Sequence, residues 1–487
     1  MRGDHGNLQY RINGVVIPES ISGFGQTLDT RFANQINVLT GALPAQYGYR
    51  TAGVVDIHTK GADLANGGNV DAELGSRGHQ AYSANIGGTE GDLQYYVAGS
   101  TLRNHIGIEN PMASNHALHD DTRQDKGFAC LSYLLGSESR VGLMLGASNG
   151  RFQIPNVVGE TASFALAGAA PPASESLDAN QREWNNFQVS PFRRDSSVHY
   201  RPDPVGDLSD HGVAANVLHR NLASGVQFDL SRPLGAEHTL RAGLFAQLER
   251  GSVTNASTVF AAAGEVNQTS DVPLTIHDDS RLGGGLFGLY LQDEWRPTKA
   301  LTLNYGLRYD KVSTVVDESQ LSPRLGIVYQ LAESSRFHAG YSRYFTPPPT
   351  EKIDTTSVQK FLGTTNALPS DANTAVRSER SNDFDLGVSH QLDSRITVGA
   401  DAYFRQVSHL QDEAQFGNAL IYSAFNFAQG RVFRLELSGS YKSEQLSALN
   451  LLDRVYQLRD GSGIGVGAPQ FAPRRTVDVA LSKPFTF

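Results

Sequence analysis

His116, His119, Asp120 and Asp121 are the residues of this 487-residue chain whose types and spacing first suggest chemistry. Two imidazoles three residues apart, followed by two carboxylates, can converge on a metal ion. Their flanks, Asn115 and Ala117, add no further ligand, so the stretch reads as a solvated, charged loop and no metal site is assigned. The sequence holds no Walker-type phosphate loop, no C-x-x-C and no H-E-x-x-H. No catalytic residue and no cofactor is therefore expected, and the chain is read as not an enzyme. The single cysteine, Cys130, rules out an intrachain disulfide and reads as an inert packed thiol. Arg2-Gly3-Asp4 spells a cell-adhesion tripeptide, for which a better explanation follows.

The elements that would position any site are strands. The net charge is −9 with no Lys/Arg cluster, so no nucleic acid is expected as a partner. Mean hydropathy is −0.32, and no run approaches the ~20 apolar residues of a membrane-crossing helix. A barrel strand is apolar only at alternate positions, so such a composition fits a transmembrane barrel as well as a soluble protein. Residues 301–310 read LTLNYGLRYD. Leu301, Leu303, Tyr305, Leu307 and Tyr309 share one face; Thr302, Asn304, Gly306, Arg308 and Asp310 share the other. That is the strand period, greasy on one side and wet on the other. The pattern recurs at 287–292, 337–342, 396–405 and 433–438. Further strands are expected near 70–78, 80–88, 92–103, 126–135, 139–148, 213–221, 225–231, 238–250 and 321–331. Arg296-Pro297-Thr298-Lys299 reads as a tight turn. Long polar stretches at 104–125, 151–210, 252–284, 346–380 and 406–428 read as loops. Short turns on one side and long loops on the other are the asymmetry of outer-membrane barrels. The expected fold is all-β: a large antiparallel transmembrane β-barrel.

Residues 36–60, INVLTGALPAQYGYRTAGVVDIHTK, carry a resemblance. A hydrophobic strand runs into a Gly-rich turn, and Val54-Val55-Asp56-Ile57 then leads to Thr59-Lys60. The stretch resembles the end of the plug domain of TonB-dependent outer-membrane receptors. Upstream, the Arg2-Gly3 pair and the strand ending at Asn13-Gly14 resemble the plug's middle. Asn450-Leu451-Leu452-Asp453-Arg454-Val455-Tyr456 resembles the receptors' penultimate strand, and Pro473-Arg474-Arg475 the loop before the closing one. Ser322-Pro323-Arg324-Leu325-Gly326 matches a recurring barrel-strand pattern of the family. The end of the chain, with Phe485 and the terminal Phe487, resembles the signal read by the barrel-assembly machinery.

The resemblance implies a partial plug domain at 1–60, held in the lumen of a barrel at 61–487. No signal peptide opens the chain at Met1-Arg2-Gly3-Asp4, so the chain is read as N-terminally truncated, without the family's TonB box. Family barrels have about 22 strands; about 16 to 18 can be placed here, the shortage falling between Tyr441 and Asn450. Two segments match the plug loops that meet ligand, which implies ligand-binding roles for Phe24, Gln26, Gln46 and Tyr47. Arg2 and Arg11 are expected to anchor the plug to lumen carboxylates such as Glu294 or Glu436. The implied function is a transporter in the outer membrane of a Gram-negative bacterium for a siderophore-iron chelate, cobalamin or an oligosaccharide. The implied partners are outer-membrane lipid, the TonB energy-coupling complex, the barrel-assembly machinery and that small-molecule ligand. Two rival readings are a non-transporting truncated remnant, acting as a structural or surface-binding barrel or leaky pore, and a soluble secreted all-β carbohydrate binder.

Overall fold

The computed structural model describes residues 8–17, 33–50, 53–59, 66–107, 119–136, 139–154, 162–166, 176–185, 189–264, 267–348, 350, 358–367, 376–416, 419–441, 457–459, 470–471 and 478–486. Two sheets account for nearly all of them. A small one comprises Leu8–Ile12, Val15–Ile17, Ala33–Leu39 and Gly53–Thr59. Its spatial order puts Val15–Ile17 at one edge, then Leu8–Ile12, Gly53–Thr59 and Ala33–Leu39. Leu8–Ile12 runs parallel to Gly53–Thr59, and the other pairs are antiparallel. The first hairpin turns on Asn13 and Gly14, with φ of 50° and 82°. Positive φ at both central residues is the type I′ requirement that Asn-Gly meets at little strain. The Asn13 amide also exchanges hydrogen bonds with Thr59 at 2.8 and 2.9 Å, tying the turn to the neighbouring strand.

The larger sheet is a barrel of seventeen strands among the described residues. It starts at Gly67–Gly75 and proceeds strand by strand, each antiparallel to the last, to Ala419–Tyr441. The last strand, Asp478–Thr486, pairs antiparallel with the first, placing Phe485 opposite Gly68. Strict alternation around an odd number gives Ala419–Tyr441 and Asp478–Thr486 the same direction. The count lies within the 16 to 18 read from the sequence, although bacterial single-chain barrels have even numbers.

Side chains alternate as the period of two dictates. On Leu301–Ser313, Tyr305, Leu307 and Tyr309 are exposed outward while Arg308 and Asp310 are buried inward. On Leu274–Trp295, Leu289 and Leu291 are 50% and 54% exposed, whereas Tyr290 and Gln292 between them are 7% and 2%. The outer surface is therefore an apolar belt and the inner surface polar. One end of the barrel is joined by connections of two to five residues, as at 91–92, 235–237 and 333–334. The other end carries the long ones, 106–120, 154–175, 260–273 and 347–378. No helix among the described residues is long and apolar enough to cross a membrane.

Four sequence expectations change, the first being the loop expected at 252–284, which shrinks to 260–273 between the strands His238–Val259 and Leu274–Trp295. Residues 213–221 and 225–231 belong to one continuous strand, Val213–Leu234; Ala223 and Ser224 are too small to mark the alternation that runs through them. Residues 151–210 were expected as loop but contain paired strands Ser176–Asn185 and Val189–Arg201. On the second, the exposed positions carry Arg193 and Asp195, so the apolar signature is missing. The expected loop 406–428 is largely strand, in Ile396–Phe416 and Ala419–Tyr441. About ten residues cross a bilayer. Strands of 21 to 23 residues therefore continue as polar ribbon beyond it.

Candidate functional site

The small sheet lies inside the barrel and touches opposite walls. On one side Ile12, Ile17 and Ile57 pack with Tyr96, Ala98 and Met144, next to Phe128 and Cys130. A little further round the wall, Val16 and Tyr49 pack with Phe192 and Phe245. On the opposite side, Leu43, Tyr47 and Val54 pack with Tyr344. The lumen at this level is filled by side chains from both bodies.

The segment Gly41–Arg50, between two strands of the small sheet, has no ladder of its own. Buried carbonyls and amides must find partners elsewhere, and here the barrel wall and the small sheet's own side chains supply them. The Tyr344 hydroxyl donates to the Gly41 carbonyl at 2.7 Å and accepts from the Leu43 amide at 2.8 Å. Arg324 donates to the carbonyls of Leu43 and Tyr47 at 3.4 and 3.3 Å. Ser342 donates to Leu43 at 3.1 Å, and Arg308 to Ala45 at 3.4 Å. The Gln46 amide donates to Gln292 at 2.9 Å. From within the small sheet, Arg11 donates to the Gln46 carbonyl at 2.6 Å and Gln9 to that of Gly48 at 2.6 Å. A further contact pins the first hairpin: Gln227 accepts from the Val16 amide at 2.9 Å and donates to the Gly14 carbonyl at 3.0 Å.

Three guanidiniums each lie over an aromatic ring: Arg324 over Tyr344 at 3.8 Å, Arg11 over Tyr47 at 4.6 Å and Arg308 over Tyr49 at 4.8 Å. Such contacts strengthen when desolvated. Arg308 is neutralised within the wall by Asp310 at 2.8 Å. Burial pushes the Arg11 guanidinium below the ordinary arginine range, opposed by Tyr47 and Asp229. Burial, with Asp310 nearby, raises the Tyr49 phenol. Two glycines make the approach possible. A Cβ on Gly48 would stand 2.1 Å from Arg308 Nε, and one on Gly288 would stand 2.4 Å from the Tyr49 hydroxyl. A cavity of about 10 Å³ remains beside Arg11, Asp229, Tyr290 and Arg308, room for one water.

At the long-loop end, the connections pack on one another. Val213, Val217, Val253 and Val259 surround Phe361, and Leu208, Ala214 and Phe260 pack with Phe164 and Leu166. Thr365 accepts from the Phe260 amide at 3.1 Å, and Lys360 pairs with Asp278 at 2.7 Å.

Of the residues singled out in the sequence, Gln46 is half-buried and Tyr47 is buried at the seam just described. Phe24, Gln26, Arg2 and Phe487 lie outside the described residues, as do the motif at 450–456 and Pro473–Arg475. Phe485 is in the closing strand. Arg11 is buried in the seam, but it does not pair with Glu294 or Glu436: it bonds Gln9, Gly14 and Gln46. Glu294 is four residues along the strand from Tyr290, about 13 Å nearer the short-turn end. There it pairs with Arg241 and Arg296 at 3.1 and 2.5 Å. Asp120 and Asp121 meet His105 at 3.4 and 2.7 Å in an exposed cluster, and His116 lies outside the described residues. His105 was not singled out; only the pairing of His105 with Asp121 across the hairpin reveals it. A G-x-S-x-G string does occur at Gly146-Ala147-Ser148-Asn149-Gly150, but inside the strand Arg140–Gln153. It is not at the strand-to-helix turn that makes a nucleophile elbow. The wall residues Gln227, Gln292, Arg308, Arg324 and Tyr344 were not anticipated as site residues. Their signal was polar or charged side chains on the inward parity.

Residues 170–485 match the family model described as TonB dependent receptor-like, beta-barrel. Among solved structures, the FrpB iron transporter from Neisseria meningitidis is similar, with a TM-score of 0.60 at 15% identity, over 98% of this chain and 73% of that one. The pyoverdine receptor FpvA from Pseudomonas aeruginosa PAO1, bound to pyoverdine, gives 0.65 at 13% identity, over 100% and 88%. The copper transporter OprC gives 0.64 at 12% identity, over 90% and 69%. No curated protein matches the chain.

Proposed function

The chain belongs to the TonB-dependent receptor-like β-barrel family, and from that premise we propose that it is an outer-membrane transporter whose N-terminal sheet is a releasable plug. The family consists of outer-membrane receptors and transporters of Gram-negative bacteria, and this is the location proposed for the chain. One observation carries the reading: a folded sheet lies inside the barrel, and wall side chains hydrogen-bond to its backbone as well as packing on it. Such hydrogen bonds are individually modest, about 0.5–1.5 kcal/mol net, so they can be exchanged for others when the sheet moves. A covalent or fully apolar seam would not allow that.

The sheet of residues 8–59 is accordingly the plug, within the 1–60 unit, and the barrel follows. Ligand enters from the long-loop end, which faces outward. Gln46, Tyr47, Phe24 and Gln26 are proposed to lie at or near the plug surface that ligand meets. The cargo class is a metal chelate, in keeping with the iron, pyoverdine and copper named for the similar structures. Inward release is driven by the TonB complex, and insertion by the barrel-assembly machinery acting on the closing strand. The test is uptake of radiolabelled ferric chelates by iron-starved cells in which this gene is the sole receptor, with and without a protonophore. Energy-dependent uptake supports the proposal; equal label in cells lacking the gene overturns it.

A further inference from the structure

The strands Val189–Arg201, Val213–Leu234 and His238–Val259 stand side by side, and their register orders the inner wall into levels. At the plug level Phe192 and Phe245 stack, 5.6 Å between ring centroids, against Val16 and Tyr49. Toward the long loops, Val217 and Val253 join the apolar cluster around Phe361. Between these apolar levels is a polar band. Arg194 is level with Ala223, and Ala223 with Glu249; one step outward, Ser196 is level with Asn221.

Arg194 is fully buried, and none of its three nitrogens has a hydrogen-bond partner. Ser196 Oγ, both polar atoms of the Asn221 amide and Glu249 Oε2 are likewise buried and unpartnered. The other buried arginines of the lumen differ: Arg11, Arg308 and Arg324 donate to plug carbonyls, and Arg405 to Glu379. Burying a guanidinium without an acceptor opposes the folded state. The wall therefore holds a charge whose complement is not among the groups that touch it.

We propose that this band is a subsite for an oxyanion carried by the transported ligand, a carboxylate, sulfonate or phosphate group. The fork of Arg194 matches two oxygens of such a group. Ser196 and Asn221 add neutral donors one step outward. Glu249, bonded to Gln247 through its other oxygen, is two strands away and confines the anion to the Arg194 end by repulsion. The inference rests on the transport reading and adds the charge class of the cargo. The band is one level above the contact of Val16 and Tyr49 with the wall. Anion entry requires the inner surface over Arg194 to open, so binding favours an opened state.

Selenate is the probe, titrated calorimetrically into the detergent-solubilised whole chain and located in soaked crystals by its anomalous scattering. The expected result is binding with selenium density against Arg194, weakened about tenfold or more in Arg194→Met and retained in Glu249→Gln. Arg194→Met should also raise the melting temperature without selenate, because it removes an uncompensated charge. A structural arginine would do the reverse. Absence of selenate binding, equal binding by Arg194→Met, or a lowered melting temperature in that variant each overturns the subsite. These measurements involve no transport, so their failure leaves the uptake result standing, and failed uptake leaves them unaffected.

Discussion

Arg308 shows how much of the seam depends on single positions. It passes over Gly48, lies on the Tyr49 ring, donates to Ala45 and is held by Asp310. Gly48→Val would drive a side chain into that guanidinium. Overpacking of this kind costs about 1–3 kcal/mol, and here the strain falls on plug seating rather than on the barrel ladder. Cells carrying Gly48→Val should become sensitive to antibiotics too large for porins, with unchanged barrel levels on heat-modified gels. Arg324→Met leaves the Tyr47 carbonyl without its arginine donor, while Leu43 keeps Ser342. An unpaired buried acceptor costs about 1–3 kcal/mol, so thermal unfolding of the plug should begin earlier in this variant. Unchanged unfolding would mean that Arg324 does not hold the plug. The sequence placed Arg308 and Asp310 on the wet face but did not reveal what they touch. Which inward side chain meets which plug carbonyl depends on the height of the plug in the barrel, and no periodicity encodes that. The same limit explains Arg11, whose expected carboxylate partners lie elsewhere along the wall.

Strand Leu301–Ser313 is the clearest case of an element legible in the sequence. Five alternate apolar residues gave its facing, and Leu307 is 50% exposed while Arg308 beside it is 3% exposed. Leu307→Arg should cost about 2–4 kcal/mol if it lies near the bilayer midplane and deplete the protein from the outer membrane. Thr302→Arg, on the inward parity, should be tolerated. Equal membrane levels for the two variants would contradict the facing. The strands that escaped sequence reading failed for a physical reason. Val189–Arg201 carries Arg193 and Asp195 on its exposed face, so the contrast between faces disappears. Strand ends beyond the bilayer escaped likewise: water bathes both faces there, and no apolar period is needed.

At the scale of the molecule, the small sheet sits inside the barrel in contact with opposite walls, the long connections gather at one end, and the transport reading takes this arrangement as a seal. Sealing is what separates a gated transporter from the leaky pore that the same sequence also allowed. The order of sheet and barrel was legible from the 36–60 segment and the repeated alternation; the seam was not, because its hydrogen bonds from the wall join residues 211 to 303 positions apart in the chain. The seal is also what single-channel recording in planar bilayers reads directly. The purified whole chain is predicted to insert without steady conductance, and brief openings should appear only when the seam is loosened, as in Gly48→Val. A large, permanently open channel from the unaltered chain would contradict the account.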